Sequence, residues 1–218
     1  GLSRSADTSR PKRRSRAALT ALDGGWQNRY VILAKPPRAG ELLVSGTAVS
    51  DGVFDQSVVL LLDCDEAGAL GVIINRIADA ELEDVLPQWS ELVCPPQVLF
   101  SGGPMSPNGA VCLAKVLNGN EEPPGWRRVD GDIGLLHLDT PVEIAAGAYS
   151  DLRIFAGYAG WSPGQLEGEI LRGMWHRVPA REDDIFGADP ATLWRRVLRR
   201  QGGTTSFFST WPEDAELN

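Results

Sequence analysis

With 218 residues, 43% of them hydrophobic, the chain is long enough for one sizeable core and short for two. Its net charge of −8 conceals an asymmetry: residues 1–22 carry six Lys/Arg against Asp7 and leave an acidic body, which repels nucleic acid and confines any DNA contact to the arm or a local patch. No apolar run approaches the roughly 18 residues of a membrane span, and residues 1–22 lack the apolar stretch of a signal peptide.

Taken in order, residues 1–37 read as a basic, flexible arm, with an edge strand near residues 29–33, and residues 38–218 as the domain. Residues 42–46 read as a strand. Beyond a turn at Ser50-Asp51-Gly52, residues 58–62 are a continuous apolar run, the pattern of a strand buried on both faces. Turn residues separate it from a second apolar strand at 70–74, so the two are expected as a hairpin at the centre of the sheet. Asp51, Asn75 and Arg76 fall at strand ends. An Asp51–Arg76 ion pair is the simplest arrangement there, but satisfaction of turn backbone by Asp51 and Asn75 is the preferred reading, because such residues do that routinely. Leu82, Val85, Leu86 and Trp89 recur at helical spacing, interrupted by Pro87. Residues 98–100 form a short strand running into Gly102-Gly103-Pro104, whose diglycine permits close backbone approach or a tight bend. Strands at 110–117 and 134–138, a short helix capped by Thr140-Pro141, and a strand at 151–156 follow.

Residues 157–170 read as a glycine-punctuated turn and a helix beginning at Pro163, with Ser162 as N-cap and Gln165 reaching back to the Ser162 backbone. Leu166 and Ile170 give that helix an apolar stripe, and Gly164 and Gly168 a bare one against which another element is expected to pack. Glu167 and Glu169 lie about 200° apart around it and do not make an acid/base pair. Residues 175–178 read as a strand. Residues 191–200 read as an amphipathic helix with Leu193, Trp194, Val197 and Leu198 inward and Arg195, Arg196, Arg199 and Arg200 on a solvated face. Residues 207–211 read as a closing strand or packed tail.

Cys64, Cys94 and Cys112 are widely spaced, lack a CxxC pair and read as reduced core residues of a cytoplasmic protein, Cys64 as an inert thiol. His137 and His176 read as structural residues. No metal site or cofactor is expected, since metal-ligand spacings, the nucleophile elbow, the Walker A loop and the dinucleotide fingerprint are all missing.

The run Gly157-Tyr158-Ala159-Gly160-Trp161-x-x-Gly164-Gln165-Leu166-Glu167 carries a resemblance. With residues 40–44, Asp51-x-x-Phe54-x-x-Ser57-Val58, residues 68–76 and Gly102-Gly103-Pro104 in the same order, it is similar to the AlgH/YqgE family of bacterial proteins over residues 38–218. The resemblance implies an α+β fold, a single domain around a mixed, barrel-like β-sheet with flanking helices. It implies no reaction, because no activity is established for the family, and the "transcriptional regulator" label of some members has no motif here. Many relatives carry His where this chain has Cys64 and Ala114, so a mechanism shared by the family cannot use either.

The expectation is therefore a non-enzymatic cytoplasmic protein that binds a protein or small-molecule partner and no membrane. Its surface would comprise Asp51, Asn75, Arg76, Gly102, Gly103, Pro104, Tyr158, Gly160, Trp161, Gln165 and Glu167. Two alternatives stand beside it: a regulator contacting DNA through the basic arm, and a hydrolase or transferase using carboxylates from Asp51, Glu167 and Glu169.

Overall fold

The computed structural model describes residues 35–49 and 52–201. Its strands are β1 (Glu41–Ser45), β2 (Val58–Asp65), β3 (Gly68–Ile73), β4 (Phe100–Ser101), β5 (Met105–Val116), β6 (Trp126–Asp130), β7 (Ile133–Leu136), β8 (Tyr149–Trp161) and β9 (Trp175–Pro179). Five α-helices accompany them among the described residues: α1 (Leu82–Val85), α2 (Val142–Ala148), α3 (Gln165–Leu171), α4 (Glu182–Phe186) and α5 (Leu193–Gln201). The strands form one sheet in the order β6-β7-β5-β8-β3-β2-β1-β9, with β4 beside β8. Among the described strands only the β4–β8 pairing is parallel, so the sheet is mixed, and it curls into a half-barrel. The described residues from Pro37 onward form one compact unit, and the fold is the α+β, barrel-like arrangement expected.

The apolar run of β2 is buried throughout Val58–Leu62, and it pairs with β3 as the expected central hairpin. One face of the sheet holds Leu42, Val44, Val58, Leu60, Val72, Ile74, Leu113 and Phe155, covered by Ile185 and Phe186 of α4 and by Leu193, Trp194, Val197 and Leu198 of α5. The apolar stripe of α5 is the one its sequence predicts. Two further clusters pack against the sheet: one gathers Leu82, Trp89, Leu136, Ala145 and Leu152, the other Leu43, Val59, Ile73, Trp161, Leu166 and Trp175.

Residues 157–161, expected as a turn, instead complete β8. Backbone crowding explains this. Gly157 has φ +71°, and a Cβ there would lie 2.5 Å from the Gly103 carbonyl oxygen and 2.8 Å from that of Met105. A Cβ at Gly103 would lie 2.3 Å from the Tyr158 carbonyl carbon. Bare backbone thus packs on bare backbone, and β8 runs on to pair Ala159, Gly160 and Trp161 with Gly71, Leu70 and Ala69.

Helix α3 starts at Gln165, two residues later than expected, because Gly164 is left-handed (φ +75°) and interrupts the helical path. Ser162 makes no side-chain cap, although Gln165 does accept the Ser162 N–H at 3.0 Å. Among the described residues nothing packs on the bare stripe: none places an atom within 4 Å of a Cβ at Gly164, and only the Arg172 guanidinium approaches Gly168. Thr140 does not cap α2, which begins after Pro141. Pro87 ends α1 early and opens a 3-10 turn. Strand β6 and helix α4 were not legible in the sequence. Asp51, the basic arm through residue 34, and residues 202–218 lie outside the described residues.

Candidate functional site

Trp161 and Trp175 come from β8 and β9, and α3 supplies the carboxylate that joins them. Glu169 Oε2 accepts both indole N–H groups at 2.8 Å, while Oε1 accepts the Gln165 amide at 3.0 Å. The indoles meet edge to face, 6.0 Å between centroids and 81° between planes, and Phe54 joins them at 5.6 Å from Trp175. Both tryptophans are buried. Buried indole N–H groups need acceptors, and one carboxylate satisfying two of them ties the end of the central strand to an edge strand.

Asn75 accepts the Val58 N–H at 2.8 Å and donates to the Gln56 carbonyl at 2.9 Å. Arg76 donates to the Asp55 carbonyl at 2.9 Å. Both hold the turn that enters β2, where Gln56 has φ +47°. The Asp51–Arg76 pairing lies outside the described residues. Gly102 donates to Ala156 and accepts from Ile73, bringing the diglycine against β8 and β3.

Among the expected surface residues, Gly102, Gly103 and Trp161 are buried, Asn75, Arg76, Tyr158 and Gly160 are half-buried, and Pro104, Gln165 and Glu167 are exposed. Strand alternation places Tyr158 and Gly160 on one face of β8 and Trp161 on the other. Leu70 pairs directly with Gly160, and Met105 with Tyr158, so all four share a face. A Cβ at Gly160 would lie 2.7 Å from Met105 Sδ and 3.6 Å from Leu70 Cδ2. Leu70 is 45% exposed and Met105 43%. This face continues the core of Val72, Ile74 and Phe155 past the cover of α4 and α5. Neither Leu70 nor Met105 stands out in the sequence, since their meeting depends on where the glycine of β8 falls in the register.

Two buried charges were also missed. Arg153 is 2% exposed, donates to the carbonyls of Ile185, Gly187 and Pro95, lies 4.6 Å from the Phe100 ring centroid and, among the described residues, leaves Nε without a partner. Burial pulls its pKa down from the ordinary arginine value. Asp184 is bound through both oxygens by Arg200 at 2.7 and 2.6 Å and accepts the Arg181 N–H. Arg200 therefore belongs to a buried pair, in contrast to the solvated face expected of the α5 arginines, and Arg196 donates to the Asp183 carbonyl.

The chemistry-bearing residues are dispersed. Cys112 is buried and its thiol is pushed up to about 12, chiefly by desolvation; half-buried Cys64, expected in the core, is pushed up to about 11 by desolvation and then Asp63. Cys94 is raised by burial. His137 lies past the end of β7, exposed and 3.3 Å from the Asp139 carboxylate, instead of inside an apolar strand. Half-buried His176 has its pKa lowered by desolvation. Glu167 is exposed and Glu169 is occupied by its three donors. Among the described residues no three His, Cys, Asp or Glu gather as a metal site, and no helix is long and apolar enough to cross a membrane.

Comparison with known proteins agrees with this architecture. The family model described as AlgH-like matches residues 42–206. A UPF0301 protein of Streptomyces avermitilis is 47% identical over 182 residues, covering 82% of this chain and 94% of that protein. One from Mycobacterium tuberculosis is 40% identical over 188 residues, covering 85% and 93%. Among solved structures, a Corynebacterium diphtheriae protein matches with TM-score 0.76 at 29% identity, over 81% of this chain and 94% of that one. The solution structure of AlgH from Pseudomonas aeruginosa matches with TM-score 0.61 at 26% identity, over 83% and 98%.

Proposed function

Since the chain belongs to the AlgH-like family, we propose that it acts as a cytoplasmic, non-enzymatic binding protein that holds a protein partner on the sheet face bearing Leu70, Met105 and Tyr158. The observation that carries this reading is the exposure of Leu70 and Met105 together over Gly160, where the inner core runs on past its helical cover. Full burial of side chains of this size stabilises by about 1.5–3 kcal/mol each, and both are close to half-exposed in the free protein. Half-buried Tyr158 adds an aromatic ring with a polar tip to the same face. Glu169 is committed to indole donors, and raised thiol pKa values leave Cys64 and Cys112 protonated at neutral pH, which favours binding over nucleophilic chemistry. Three free thiols suit a reducing compartment.

Affinity capture from cytosolic extract tests the reading with three proteins: wild type, Leu70→Ser/Met105→Ser, and Leu117→Ser as a control at an exposed leucine elsewhere. Circular dichroism first establishes that each is folded. A protein retained by wild type and by the control, and lost from the double variant, is the expected result. Retention that survives the double substitution refutes it.

A further inference from the structure

A separate cavity of about 200 Å³ opens between the β6–β7 turn and the start of α4. Its floor includes Leu60, Ile133 and Ile185. Leu60 and Ile185 belong to the inner core, so the floor is rigid and apolar. Ionic groups of both signs line the walls: Asp130 and Asp132 from the turn, Arg181 and Glu182 beside them from the other side, and Lys115 from β5. Lys115 binds Glu182 and also lies in the field of the Asp132 carboxylate. Among the described residues no hydrogen bond or close ion pair engages the side-chain carboxylates of Asp130 and Asp132 or the guanidinium of Arg181.

The acidic wall is fixed in place. Arg128 donates to the carbonyls of Gly131 and Gly119, pairs with Glu122 and lies 5.0 Å from the Trp126 ring centroid. Gly40 gives the Asp130 side chain room, since a Cβ there would lie 2.4 Å from that of Asp130. Two carboxylates and one guanidinium that no described residue hydrogen-bonds, with an apolar floor in one preformed cavity, match a small molecule that carries an ammonium, a carboxylate and a hydrocarbon body. A single-sign ligand would leave one wall facing an uncompensated like charge. The volume lies below the roughly 300–1,000 Å³ of sites for drug-sized ligands, so a nucleotide or a large cofactor does not fit.

We propose that this cavity binds a small zwitterion of the branched-chain α-amino acid class, with its ammonium between Asp130 and Asp132, its carboxylate on Arg181 and its hydrocarbon part on Leu60, Ile133 and Ile185. The site shares no residue with the Leu70–Met105 face and stands or falls independently of it. Arg181 supplies the planar fork that recognises a carboxylate, while the paired aspartates make the amine end selective.

The test is an NMR titration of the full chain with L-leucine, 4-methylpentanoate, which lacks the ammonium, and 3-methylbutylamine, which lacks the carboxylate. Leucine is expected to give saturable shifts at the Gly40 and Gly131 amides. Each analogue, and each of the variants Arg181→Gln and Asp130→Asn/Asp132→Asn with leucine, is expected to bind about tenfold or more weakly. These substituted side chains are exposed, and the dispersion of the free spectrum establishes that the variants fold. The proposal is overturned by any of three results: no saturable shift with leucine, shifts at neither glycine, or an analogue that binds as tightly as leucine.

Discussion

Removing the Glu169 carboxylate tests whether the Gly-Tyr-Ala-Gly-Trp run owes its sequence to architecture. Glu169→Ala strands two indole N–H groups on buried tryptophans, each now 2.8 Å from Oε2. A hydrogen bond to a charged group contributes about 1.5–3 kcal/mol. Glu169 is itself half-buried, so water replaces part of the loss, and about 3 kcal/mol is expected for the pair of donors. Glu169→Gln keeps one acceptor oxygen and loses the charge, for about 1 kcal/mol. With a urea m-value of about 2 kcal/mol/M, alanine lowers the unfolding midpoint by about 1.5 M and glutamine by about a third of that. Urea titration followed by tryptophan fluorescence and far-UV circular dichroism reads both. Coincident wild-type and alanine midpoints would refute the reasoning and free Trp161 and Trp175 for a role in binding.

Three other outcomes follow from the same structure. Gly157→Ala combines positive-φ strain with contact between its Cβ and two backbone carbonyls, and loses more than about 3 kcal/mol, whereas Gly164→Ala, equally left-handed but in open space, loses about 1 kcal/mol, a fall of roughly 2–4 °C in Tm. Arg200→Ala leaves the Asp184 carboxylate buried without its cation and costs about 3–5 kcal/mol, seen as early loss of amide protection in α5. Raised thiol pKa values give a defined alkaline slope: stability is full below pH 9, the unperturbed value, and falls as pH rises toward about 11 for Cys64 and about 12 for Cys112. Urea midpoints between pH 8 and 10.5 therefore decline, and less steeply in Cys112→Ala; an unchanged slope contradicts the assignment.

The parts of the fold legible in the sequence were those set by local chemistry. Val58–Leu62 is apolar at every position and lies at the sheet centre, and the Leu193, Trp194, Val197 and Leu198 stripe faces the core. Trp126–Asp130 was missed because Arg127, Arg128 and Asp130 hide the strand signal, and the short Glu182–Phe186 carries too few turns to show a period. Glycines 157 and 160 read as turn residues because a sequence cannot show that backbone from Gly103 and a side chain from Met105 occupy the space beside them. The site followed the same division. Asn75 announced its turn role through its place at a strand end, but Glu169 reaches Trp161 and Trp175 across three elements. The Asp130, Asp132, Arg181 cavity is assembled from widely separated segments, and no spacing rule joins them.

The most direct test of the partner-binding account is site-specific photo-crosslinking in living cells, with a photoreactive amino acid placed at Leu70, at Met105, or at the distant exposed Leu117. The account predicts one discrete adduct shared by positions 70 and 105 and missing at 117. Adducts of equal yield and identity at all three positions, or none at 70 and 105, would contradict it.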